Sequence, residues 1–172
     1  VVSGRAYFWA MANVFLTAIP MSIISGNVFL FLVAIFSFYL AFAGMRFAKN
    51  RTGIAATSDW LAVSFMGLSG LGMLILAAIY FANDNSRYIV LLVFGFLAIA
   101  LGYGDLTSYI NKTATGKERI SRHLTNMLGG TTAVVTAFLV TAVELKPAWV
   151  LWLLPTVLIT PVIFWWNRKI LG

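Results

Sequence analysis

Asp105 and His123 are the side chains of this sequence whose types could do chemistry in an apolar setting. Asp105 lies in Gly104-Asp105-Leu106, near the end of one apolar run. His123, the sole histidine, opens another after a short polar stretch. Ionisable groups inside membrane helices are costly to bury and mark functional positions by default. Asn126 at i+3 and Met127 at i+4 share the His123 face of a helix. Two uses of this set stand side by side: a polar clasp of Asp105, His123 and Asn126 that fixes two helices, or a proton relay or ligand site. A clasp requires the Asp105 and His123 side chains to lie within about 4 Å, or to be bridged by one water. Arg122 is the competing partner for Asp105.

Other chemistries lack their residues. There is no cysteine, so disulfides, thiolate catalysis and iron–sulfur ligation are excluded within the chain. Haem in a helical bundle commonly takes two axial ligands. Met127 is beside His123 on the same helix rather than opposite it. We therefore expect no cofactor within the chain, and haem or a pigment only where a partner supplies ligands. No metal site is expected. No dinucleotide fingerprint, phosphate loop, zinc-protease motif or serine elbow is present, and the expectation is a protein that is not an enzyme. Asp59, in Thr57-Ser58-Asp59-Trp60, is placed to cap a helix. Asp84 and Glu144 read as solvated, and Glu118 as a surface ion-pair member.

The elements that must position these residues are six apolar runs, in a chain that is 61% hydrophobic. They predict helices at 5–25, 28–47, 60–82, 88–110, 122–143 and 148–168, each long enough to cross a hydrocarbon layer of about 30 Å. Lipid cannot hydrogen-bond the backbone, so such runs are helices or barrel strands, and they are too continuous for alternating strands. The expected fold is all-α: a polytopic membrane bundle of six transmembrane helices in three hairpins, with residues 1–172 forming one transmembrane domain.

The connectors set the orientation. Arg5, Arg46, Lys49, Arg51, Lys112, Lys117, Arg119, Arg122, Arg168 and Lys169 fall on one side; only Arg87 and Lys146 fall on the other. The positive-inside rule puts both ends of this segment in the cytoplasm, and the expected location is a bacterial cytoplasmic membrane. The same split accounts for the net charge of +7 through lipid headgroups rather than nucleic acid. Tyr7, Trp9, Trp60, Tyr103, Tyr109, Trp165 and Trp166 mark one interface, and Tyr80, Tyr88, Trp149 and Trp152 the other. The chain begins at Val1, and the charge split leads us to expect a segment upstream.

Small residues mark where helices can approach in lipid. The fifth helix carries Thr125, Gly129, Ala133, Ala137 and Thr141 at steps of four. The fourth carries Ala98 and Gly102, and these two faces are expected to meet. The third has a cluster at Gly67, Gly70 and Gly72. Pro20, Pro155 and Pro161 lie inside apolar runs and favour kinks.

Four stretches carry a family resemblance: SGRAYFWAM, FLFLVAIFSFYLAFAG, HLTNMLGGTTAVVTAFLV and WLLPTVLITPVIFWW. In their order they resemble a family of bacterial predicted integral membrane proteins with a His-x-x-Arg-Met segment and a Pro-Thr-x-x-x-Thr-Pro helix. His123 and Met127 match that pattern, whereas Asn126 stands where the resemblance leads one to expect Arg. The resemblance implies the architecture, and helices upstream of the first stretch, but no activity. The functional expectation is an accessory or structural subunit of a larger membrane assembly, with the lipid bilayer and other membrane subunits as partners and no nucleic acid. The alternative is a small transporter or proton-coupled protein using Asp105 and His123.

Overall fold

The computed structural model describes residues 2–172, and the side chains of residues 4–140 and 142–172. Thr141, the last member of the expected α5 stripe, has its side chain outside those described. Six helices follow in order among the described residues: α1 (Val2–Ser25), α2 (Val28–Lys49), α3 (Thr57–Ala82), α4 (Tyr88–Ile110), α5 (Gly116–Ala142) and α6 (Trp149–Leu171). All six are long and apolar enough to span a membrane, and the protein is a polytopic helical membrane bundle. Consecutive helices pair as three hairpins, α1 with α2, α3 with α4 and α5 with α6. α2 joins them, packing on α1, α3 and α5.

Local chemistry sets the ends. Asn27 Oδ1 accepts from the Leu30 amide at 3.3 Å to cap α2, after a turn in which Gly26 takes a φ of +59°. Asp59 Oδ2 accepts from the Ala56 amide at 2.8 Å at the start of α3. α5 begins at Gly116, well before the apolar run, with Glu118 in its first turn. The polar segment from Gly116 to Arg122 keeps its backbone bonds by continuing the helix, and the carboxylate favours the positive helix end. α1 continues through Pro20, and α6 through Pro155 and Pro161.

The core sits among α2, α3 and α4, around Phe36, Leu40, Met66, Met73, Leu91 and Ala98. α3 and α4 approach closest where Gly70 faces Gly95: a Cβ on Gly70 would stand 3.2 Å from the Gly95 carbonyl oxygen and 3.0 Å from the Ala98 Cβ. Lipid offers no hydrophobic drive between helices, so such approaches hold the bundle by dispersion.

The small faces of α4 and α5 do not meet each other as expected. Ala98 meets Gly70, and Gly102 lies over Met66; both serve α3. Gly129 instead faces Leu40 of α2, Ala133 borders a chamber beside α6, and Ala137 is exposed. α4 and α5 are therefore not a packed pair, although a short connector joins them. Tyr109, in the last turn of α4, is buried, with its ring stacked on Phe47 at 5.2 Å between centroids.

Candidate functional site at the basic end of the bundle

Most of the polar contacts between helices gather at the end carrying the α2–α3 and α4–α5 connections. Asp105 is 1% exposed. Its Oδ2 accepts from the Tyr39 hydroxyl of α2 at 2.8 Å and from the Asn126 side-chain amide of α5 at 3.3 Å. Its Oδ1 lies 3.6 Å from Arg122 Nη1. Arg122 also donates from Nε to Glu118 at 3.1 Å, one turn away. Its guanidinium stands against Gly104, where any Cβ would collide with Nη1. Asn126 donates a second bond to the Arg122 carbonyl at 3.0 Å. Its own Oδ1 is buried without a hydrogen-bond partner among the described residues.

His123 faces elsewhere. Its Nδ1 lies 2.7 Å from the carbonyl oxygen of Gly44 on α2. A carbonyl only accepts, so Nδ1 carries the proton and donates. Met127, one turn on, packs on the same glycine: a Cβ at Gly44 would stand 2.8 Å from its sulfur. The expected Asp105–His123 clasp is thus not formed. The reason is rotation: successive helix residues are about 100° apart, so Arg122 and Asn126 turn toward Asp105 while His123 and Met127 turn toward α2. Of the three residues expected to form the clasp, Asp105 and Asn126 are brought together, and Arg122 takes the place considered for histidine.

Two further ties escaped the sequence reading. Arg46 grips Asp59 with two bonds, Nε to Oδ1 at 2.6 Å and Nη2 to Oδ2 at 2.7 Å. Asp59, 1% exposed, therefore caps α3 and binds α2 at once. Arg119 of α5 donates to the Phe47 and Ala48 carbonyls at 3.0 and 2.7 Å. A cation there meets the negative end of the α2 dipole. The signal for Arg46–Asp59 was available, since opposite charges flank one short connector. Tyr39 carried none, because a tyrosine in an apolar run reads as packing.

Beside this network lies a chamber of about 240 Å³ among α2, α4, α5 and α6. Phe36, Leu40, Phe94 and Leu97 supply apolar walls, and Thr125, Thr132, Thr156 and Thr160 add hydroxyl-bearing ones. Toward the basic end the chamber adjoins a polar cleft lined by Glu118, Ser121, Arg122 and Arg168, with Thr125, Phe164 and Asn167 bordering both.

Fold and site together define a polytopic helical membrane protein tied at one end by buried ion pairs. Comparison of the chain with family models, curated proteins and solved structures gave no match.

Proposed function

We propose that this protein is a non-enzymatic integral membrane subunit that packs against a further transmembrane helix in a larger assembly. The observation that carries the reading is the outward face of α1. Asn13 and Thr17, one turn apart in an apolar span, are both exposed. Thr17 turns its hydroxyl onto its own helix, 3.0 Å from the Asn13 and Val14 carbonyls. Asn13 spends only its amide nitrogen, donating to the Trp9 carbonyl at 2.9 Å. An Asn side chain facing hydrocarbon is costly, and between membrane helices it contributes about 0.6–2 kcal/mol. α1 packs extensively only on α2, which leaves that face available to a partner helix.

The test is the particle mass in mild detergent by light scattering. The wild type is expected to run larger than one chain, and Asn13→Leu to fall toward a single chain with unchanged helix content. A wild type that is already a single chain sinks the reading. We further assign both ends of this segment to the cytoplasmic side of a bacterial membrane, on the strength of the charge split. Cysteines placed at Asn50 and Asn83 should label from opposite sides of sealed vesicles.

A second reading, proton-coupled transport through Asp105, draws on one contact: Arg122 borders the polar cleft and also reaches Asp105. In reconstituted vesicles Asp105→Asn would then stop proton-driven uptake, while His123→Ala would not. Equal rates in wild type and Asp105→Asn remove it.

A further inference from the structure

We propose that the α5–α6 cleft binds one anionic glycerophospholipid, with its phosphate at the basic end and a segment of one acyl chain in the chamber. The site has the two halves such a molecule needs. The chamber wall is mostly apolar, and of its threonines Thr132 turns its hydroxyl onto the Leu128 carbonyl at 2.8 Å instead of inward. At the junction between chamber and cleft, Asn167 is oriented by two bonds. Its Oδ1 accepts from Ser121 Oγ at 3.0 Å, and its Nδ2 donates to Thr125 Oγ1 at 2.7 Å. That arrangement leaves the second Asn167 N–H and the Thr125 hydroxyl proton as donors at the height where a lipid ester or phosphate oxygen would lie.

Charge sets the headgroup. Arg122 is shared between Glu118 and Asp105, so the two carboxylates take up its charge and leave none of it for a headgroup. Lys169 stands 5.5 Å over the Trp165 ring. Arg168 lines the cleft and has no acidic side chain within ion-pair distance among the described residues. It is the cation left to meet a phosphate, and a guanidinium suits phosphate oxygens geometrically. A zwitterionic lipid offers the same chain but a headgroup without net charge.

The experiment uses the full chain in mild detergent, with phosphatidylglycerol and phosphatidylcholine of matched chains supplied in equal amounts and retained lipid read by native mass spectrometry. One arginine near a headgroup predicts about fivefold preference for phosphatidylglycerol. Arg168→Gln should bring the preference close to one without changing helix content. Ala133→Phe, which fills the chamber, should release both lipids. Should that variant fail to fold, the exposed Arg168→Gln substitution still decides. Equal retention of the two lipids by wild type overturns the proposal. So does an unchanged preference in Arg168→Gln, retained lipid in a folded Ala133→Phe, or displacement of phosphatidylglycerol by inorganic phosphate alone.

Discussion

Replacing Tyr39 with Phe removes one oxygen from the centre of the polar network and little else. The buried ring is kept, so no side-chain-sized cavity opens. What is lost is the 2.8 Å bond to Asp105 Oδ2. That oxygen then keeps only the longer Asn126 bond at 3.3 Å, while Oδ1 keeps Arg122 at 3.6 Å. A hydrogen bond to a charged group contributes about 1.5–3 kcal/mol, and a buried acceptor cannot turn to water for a replacement. Because the Asn126 bond persists, we expect a loss of about 2 kcal/mol, near the lower half of that range. The assay is reversible unfolding in mixed micelles of dodecyl sulfate and mild detergent, followed by far-ultraviolet circular dichroism. Tyr103→Phe, at a position 66% exposed, serves as the control and should stay within about 0.5 kcal/mol of wild type. Tyr39→Phe and Asp105→Asn should be non-additive by about 1 kcal/mol or more, whereas Asp105→Asn and His123→Ala should add within about 0.5 kcal/mol. A Tyr39→Phe protein as stable as the control, or strong coupling between positions 105 and 123, would refute the network described here.

Gly104→Ala should act at a distance on the same carboxylate. Its methyl group displaces the Arg122 guanidinium from Asp105, and a loss of about 1–3 kcal/mol is expected in the same unfolding assay, with little further loss when Arg122→Ala is added. Gly70→Ala should destabilise by about 1–3 kcal/mol, because its Cβ would press on the Gly95 backbone, which cannot move aside cheaply. Gly67→Ala, with no other helix within 4 Å of the added carbon, should be neutral or stabilising by up to about 1 kcal/mol; equal effects at the two glycines would contradict the α3–α4 packing. Asp59→Ala removes both the α3 cap and the partner of Arg46, and a loss of about 3 kcal/mol is expected, with proteolysis of the 50–56 connection accelerating as α2 and α3 come apart.

The spans were legible in the sequence because hydropathy and helix length are local properties: an apolar run either bonds its own backbone or pays for it in lipid. Pairing into hairpins followed from short connectors such as Ser25-Gly26-Asn27. Asp105 stood out for a similar reason, since a carboxylate in an apolar run needs a partner somewhere. Two of its partners were legible, Asn126 as a clasp member and Arg122 as the competing partner; the third, and the partner of His123, were not. Tyr39 lies 66 positions away, and Gly44 lies 79 from His123; neither belongs to the helix joined to its partner by a connector. The start of α5 moved toward the N-terminus because its polar residues continue a helix that hydropathy alone would end. Within that helix, one step of about 100° separates Asn126 and Arg122, which reach Asp105, from His123 and Met127, which rest on α2. Composition and order determined that this chain is a six-helix membrane bundle with a costly acid near one end. Only the tertiary structure decided that α2 is the hub, because rotation and tilt of each helix are set by side-chain packing between segments far apart in the chain, and no local property of the sequence records them.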